Sequence, residues 1–356
     1  MEMTTIPTII ETIRNKVKTE EFREKNAKSK VDFTRNRKMK IEDVVFFVLS
    51  SIKTTLSFET INFCNQSGVK TLSPAAVTKA RSKLKPEAFR EILKEENNAI
   101  QKRKKYKGYE LIAIDGMKGE LPRTAELMEK YKPQKDVHYP QFHAVAMYDV
   151  MNNCFLDGLF LPAPTNEREA AKNLVSTLKE SQNQILLLDR GFPSVALIQQ
   201  MNEAEKKYVM RVSSSFLKEV NDFTKTKVMD KNIRICYDKR RGQTNEVKNA
   251  KLPYEFELRC VKIQLKGGHT EVLITNLSKE SLKRAEIGEL YNMRWGIETS
   301  FNHLKNAVHV EEFIGKSENA IKQEFFASLI VYNLCMCFIY DTKAVSNIKK
   351  NAKITV

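Results

Sequence analysis

The chain has 356 residues, enough to bury a full core and to hold two or three domains. Lys and Arg number 60 against 44 Asp and Glu, a net charge of +16, and positions 1–107 hold 24 basic against 13 acidic side chains, so +11 of that charge sits in the first third. This asymmetry points to a polyanionic partner, nucleic acid by default, while six cysteines without a CxxC pair exclude zinc-finger spacing and a secreted disulfide framework. Free thiols fit a reducing cytoplasm, and MEMTTIPTIIETIRNK lacks the apolar core of a cleavable leader.

Residues 1–107 read as a helical, basic, DNA-binding region. Segments 41–51, 58–65 and 75–84 have helical apolar spacing. Gly68 breaks the chain, and Ser73 with Pro74 supplies a cap and a first-turn proline for the next helix. Helix, turn, and a second helix bearing Lys79, Arg81 and Lys83 is compatible with a helix-turn-helix, as it is with plain helix packing.

From residue 109 the pattern changes. YELIAIDG predicts a buried strand ending in a turn at Asp115 and Gly116, two more strand-like runs flank MNN, 166–181 reads as an amphipathic helix, and QILLLDRGFPS is again a buried strand ending at an acid, Asp189. A helix and the strand YVMRVS follow. Parallel-type apolar runs alternating with helices argue an α/β sheet. Residues 211–270 read as a β-rich insertion with a basic run at Lys239, Arg240 and Arg241 and a Gly267-Gly268 turn, after which 271–277 returns to the core. The run FFASLIVYNLCMCFIY at 325–340 is short for a bilayer span and predicts a buried helix and no membrane partner; residues 343–356 form a basic tail.

A long helix over 280–307 carries Tyr291, Arg294, Glu298 and Lys305, at offsets that fall within roughly 60° of one face. Leu290, Ile297, Phe301 and Leu304 form the apolar stripe beside them. An acid at the end of a buried strand is partly desolvated and wants a cation nearby. Two such acids, Asp115 and Asp189, together with Glu298, point to a shared hard divalent ion with oxygen ligands, and two ions would suit in-line phosphoryl displacement. No GxxxxGK[ST] segment is present, which disfavours a nucleotide-hydrolysing motor.

IDG around Asp115, LLLDRGF around Asp189, and Y-x2-R-x3-E-x6-K at Tyr291, Arg294, Glu298 and Lys305 follow one another in an order that resembles the bacterial DDE transposases of the insertion-sequence-four type. The resemblance spans about residues 109–340. It implies a ribonuclease-H-like mixed sheet flanked by helices, in two pieces at 108–210 and 271–342, interrupted by the β-rich insertion at 211–270 and preceded by the all-helical region 1–107. It further implies that Asp115, Asp189 and Glu298 form a catalytic triad holding two Mg²⁺ or Mn²⁺ ions. Water would attack a phosphodiester at the element's end. The freed 3′-hydroxyl would then attack the opposite strand or target DNA, with no covalent enzyme intermediate. Tyr291, Arg294 and Lys305 would grip phosphates. The partners so implied are double-stranded DNA, as terminal inverted repeats and as target, and a second copy of the chain on paired ends, in a bacterial cytoplasm.

Trp295, the sole tryptophan, is read either as a core anchor, the favoured reading given the area such a ring buries, or as a platform for an unpaired base. Arg190 is read as pairing with a nearby acid or touching DNA, the first being favoured; the basic run at 239–241 as touching DNA backbone or forming a solvated hairpin tip; and His303 and His309 as ordinary helix residues. A nuclease of the same fold that cuts without joining, and a transposase-derived DNA-binding protein without catalysis, are the rival readings; three retained carboxylates speak against the latter.

Overall fold

The computed structural model describes residues 6–35, 39–100, 103–132, 137–163, 165–178, 183–237, 254–265 and 268–352, with backbone alone at 341 and 343–352. The first third is helical: α1 (Ile6–Val17), α2 (Glu20–Asn26), α3 (Ile41–Leu49), α4 (Leu56–Ser67), α5 (Pro74–Arg81) and α6 (Glu87–Ala99). Local chemistry sets their ends. The Ser73 hydroxyl accepts from the Ala76 amide at 3.2 Å with Pro74 in the first turn, and α4 stops at Gly68, whose φ of 67° is left-handed. In α1, Ile9, Ile13 and Val17 repeat every four residues and are all buried.

The remaining elements, in order, are β1 (Glu110–Glu120), α7 (Ala125–Lys130), β2 (Gln141–Asp149), β3 (Cys154–Pro162), α8 (Glu167–Ser176), β4 (Gln184–Leu188), α9 (Val195–Glu203), β5 (Lys207–Val212), α10 (Lys218–Thr224), β6 (Asp230–Tyr237), β7 (Tyr254–Gln264), β8 (Thr270–Thr275), α11 (Arg284–Asn292), α12 (Trp295–Asn306) and α13 (Glu318–Ala352). The strands form one sheet in the order β3-β2-β1-β4-β5-β8-β7-β6. β1 and β4, and β4 and β5, run parallel; β1–β2, β2–β3, β5–β8, β8–β7 and β7–β6 are antiparallel. Strand alternation divides the core. Ile112, Ile114, Leu186 and Leu188 face α8 and α9. Leu111, Ala113 and Leu187 face the opposite side, with Ile297 and Phe301 of α12 and Phe325 of α13.

Three expectations change, and the insertion gains a place in the sheet. β1 does not end at Asp115: β4 leaves it after Ile114, but β2 continues to pair with it as far as Glu120. Among the described residues of 211–270, β6 and β7 prolong the same sheet through β8. The helix expected over 280–307 is two, α11 and α12, and α8 stops at Ser176. Lys239, Arg240 and Arg241 lie outside the described residues.

The apolar run at 325–340 belongs to a much longer helix. Its stretch Glu318–Tyr340 could cross a membrane by length and composition alone. Here it packs on α6, α3 and β3 and buries Gln323, Glu324 and Asn333, each bonded to other parts of the chain. Asn333 explains its place in an apolar run: it donates to the Glu96 carboxyl at 3.1 Å and closes a two-way hydrogen bond with the Phe155 backbone.

Candidate active site

Asp115 and Asp189 follow the last paired positions of two neighbouring parallel strands, Ile114 on β1 and Leu188 on β4. Their backbones are therefore one strand spacing apart, roughly 4.8 Å. Alternation puts both side chains on the face that carries α12, since Ala113 and Leu187 two residues earlier pack there. Two acids 74 positions apart become neighbours through sheet register alone.

The third acid arrives with a bend. Between α11 and α12 the backbone tightens into three-residue hydrogen bonds: the Arg294 amide donates to Tyr291 carbonyl at 3.0 Å and the Gly296 amide to Met293 carbonyl at 2.9 Å. Tyr291 closes α11, Arg294 sits at the joint and Glu298 lies in the first turn of α12, where the helix dipole favours a carboxylate. Arg294, 1% exposed, holds the cluster together. One terminal nitrogen lies 3.4 Å from Asp115 Oδ2 and the other 2.7 Å from Glu298 Oε1. The Tyr291 hydroxyl donates to Asp189 Oδ1 at 3.2 Å. The Arg294 Nε has no partner among the described residues.

The electrostatics follow. Burial pushes the Asp115 carboxyl up to about 6; the Gly116 amide and Arg294 oppose the rise, and Glu298 and Asp189 add to it. Burial works against the Arg294 charge, yet Tyr291, Glu298 and Asp189 together hold its pKa above the ordinary value. Burial also raises Tyr291, with Asp189 reinforcing the effect and Arg294 opposing it. The cluster carries more negative charge than its own cation offsets, and its donors are carboxylate oxygens without thiol or imidazole, the set a hard divalent ion prefers. Among the described residues, no three acidic, histidine or cysteine side chains already stand in position to share one ion. The Arg294 guanidinium lies between Asp115 and Glu298, so a shared ion requires those side chains to turn about it.

Several residues support the site from behind. A Cβ on Gly116 would meet His143 Nε2 at 2.7 Å and Glu167 Oε1 at 3.2 Å, so a side chain there would push His143 aside. His143, buried in β2, stands 2.8 Å from Glu167, the first residue of α8, and holds that carboxyl below its usual range. Arg168 donates to the Gly191 carbonyl at 3.0 Å and pins the turn that follows Asp189.

The other expected site residues divide. Lys305 donates to the Lys118 carbonyl at 2.9 Å and pairs with Glu311 at 3.0 Å rather than with one of the three carboxylates. Trp295 is not a core anchor: it is 57% exposed, with the Arg294 guanidinium 5.5 Å from its ring. Arg190 is exposed and has no ion pair among the described residues, against the expected acid partner. His309 is not helical; it takes a left-handed φ of 55° beyond α12 and meets Glu312 at 2.8 Å. In the N-terminal region Lys79 is exposed, but Arg81 is buried, bonded to Glu324 at 2.8 Å and to the Ala320 carbonyl at 3.1 Å, and Lys83 lies past the end of α5, 3.2 Å from Asp32. Arg81 thus fastens α5 to α13 and is unavailable to DNA. Sequence reading missed Arg211, 3.8 Å from Asp189 and 3.1 Å from Glu271. Its signal was a lone cation inside the apolar strand YVMRVS.

Strand order 3-2-1-4-5 with the first three antiparallel, helices on both faces and acids where β1 and β4 part defines a ribonuclease-H-like fold. The piggyBac transposase, solved in a synaptic complex with hairpin DNA, superposes over 95% of this chain and 76% of its own with a TM-score of 0.52 at 14% identity. The chain belongs to the Transposase DDE domain family, whose model matches residues 106–334. It is 23% identical over 273 residues to transposase InsG for insertion sequence element IS4 from Escherichia coli (strain K12), covering 74% of this chain and 60% of that relative. It is also 23% identical over 279 residues to a Synechocystis sp. sequence of insertion sequence element IS4SA, covering 77% and 74%. The chain thus spans about 60% of the length of the Escherichia coli relative.

Proposed function

We propose that this chain is a DNA transposase that cleaves and joins strands at the ends of an insertion sequence, with Asp115, Asp189 and Glu298 as its catalytic carboxylates. The observation that carries the reading is the convergence of three acids distant in sequence on Arg294 and Tyr291, at the point where β1 and β4 part. Membership of the family supports the chemistry.

Asp115, Asp189 and Glu298 would hold divalent ions, Mg²⁺ or Mn²⁺, two in number. Such ions supply Lewis acidity at the phosphodiester and lower the pKa of an attacking hydroxyl. The protein's part is positioning and charge. Arg294, with terminal nitrogens facing two acids, supplies the buried cation about which Asp115 and Glu298 turn to share the ions. Tyr291 orients Asp189 through its hydroxyl. Trp295, exposed beside Arg294, offers its ring to a base next to the cleaved bond. Terminal repeats and target DNA are the proposed substrates, and two copies on paired ends the working assembly.

A supercoiled plasmid carrying the element's ends, incubated with and without Mg²⁺, tests the reading. Joined products in Mg²⁺ support it; cutting without joining assigns a nuclease, and binding without either overturns catalysis. Asp115→Ala, Asp189→Ala and Glu298→Ala should each abolish cleavage and leave end binding within a few-fold. Retained cleavage in any one removes that residue from the triad.

A further inference from the structure

A cavity of about 500 Å³ opens beside Asp189, between the end of β5, the start of β8 and the turn after α10. Its volume lies in the range of small-ligand sites. Arg190, Arg211 and Lys227 line it with the hydroxyl residues Ser213 and Ser214, and Glu271 is the acid on its wall. Lys262 contributes a fourth cation, 5% exposed, with its ammonium donating to the Thr224 and Thr226 carbonyls at 3.1 and 2.5 Å, so no acid neutralises it there. Glu271 is engaged by Arg211. Arg190 and Lys227 are both exposed and have no ion-pair acceptor among the described residues. No aromatic side chain among the described residues lines the cavity, so it lacks a surface on which a base could stack. Its chemistry is that of an anion site: two uncommitted cations, a third bridging to Asp189, and hydroxyl donors between them.

We propose that this cavity is a phosphate-ester subsite that holds a backbone phosphate of the DNA strand next to the one presented to the carboxylates. The assignment rests on the proposed function for the identity of the strand. Arg211 joins the two places, because it touches the catalytic acid on one side and the cavity on the other. A strand crossing the carboxylates then continues into a pocket already charged for it. The pocket grips phosphate, so it positions the strand without reading its sequence.

The test uses the full chain and a fluorescein-labelled 30-base-pair duplex of random sequence, since a grip on phosphate needs no cognate repeat. Affinity is measured by anisotropy in EDTA across a salt series. The double variant Arg190→Ala/Lys227→Ala should bind about tenfold more weakly at 0.1 M salt, with its log–log salt slope shallower by roughly 0.9 because one phosphate is no longer neutralised, and the charge-keeping Arg190→Lys/Lys227→Arg should restore both. Both side chains are exposed, and unchanged melting temperatures establish that the variants fold. Wild-type affinity and slope in the double variant overturn the subsite. A melting-temperature rise with millimolar AMP in the wild type alone, with DNA binding equal in both proteins, also overturns it and assigns the cavity to a free nucleotide. Wild-type protein that binds no duplex at all overturns the proposed function instead, a result distinct from either.

Discussion

Asp115 shows what a single side chain contributes. Its carboxyl, 20% exposed and raised to about 6 chiefly by burial, binds a proton more tightly in the folded chain than in the unfolded one. Ionisation therefore costs the native state: the group's stability is full below about 4 and lost as pH rises through about 6. Asp115→Asn should raise stability at pH 7.5 in metal-free buffer, by up to about 3 kcal/mol, and the gain should vanish near pH 4. Thermal melts across that range check the sign. Millimolar Mg²⁺ should raise the melting temperature of the wild type and leave that of Asp115→Asn nearly unmoved. The grouping of Tyr291, Arg294 and Glu298 was legible because they lie within eight positions, although the one helix read there is two and Lys305 pairs elsewhere. That Arg294 reaches back 179 positions to Asp115 was not, since only the folded sheet brings them together. Trp295 misled for a related reason: sequence does not separate a large ring that is buried from one left open beside a binding face.

At the level of elements, the pair α5 and α13 gives Arg81 a packing role, one of the two readings the helix 75–84 left open. Arg81 and Lys53 surround Glu324, at 2.8 and 3.6 Å, and the Ile314 and Gly315 amides each donate to it at 2.9 Å. Burial opposes the Glu324 charge, but these cations hold its carboxyl below the ordinary value, so its contribution is present at neutral pH and lost as pH falls through that lowered value. Arg81→Met should cost about 3–5 kcal/mol in urea denaturation, the scale of an unpaired buried charge, while Lys79→Met should cost little. A basic residue in a helical repeat reads the same whether it meets DNA or a buried acid 243 positions away. Strand ends misread in a similar way. The apolar run of β1 stops at Asp115, but its length is set by pairing with β2, which nothing local announces.

Across the whole molecule, α13 is the common support. It packs on α6, α1 and α3 of the helical third, on β3 and on α12. Phe325 stands 6.3 Å from Phe142, 5.1 Å from Phe160 and 5.3 Å from Phe326. Phe325→Ala should destabilise the protein by about 3–5 kcal/mol, read as a shift in denaturation midpoint. Removing residues 1–105 strips the α13 surface that α6 and α1 cover, and the remainder should elute as aggregate in size exclusion. Composition announced the basic first third and the change at residue 109, because charge and apolar period are written along the chain. The docking of that third on the final helix was not legible, because a helix's apolar stripe does not name its partner.

The layout has a consequence for the making of the protein. Glu298 lies beyond a detour of four strands, β5 to β8, that separates it from Asp189. A ribosome that has released the first 290 residues has produced Asp115 and Asp189 but not Glu298. Every truncated or stalled product short of that joint lacks one acid of the cluster. On the proposed reading, the chromosome meets all three carboxylates together only when synthesis has run through α12, so the order of the elements keeps an unfinished chain from cutting DNA.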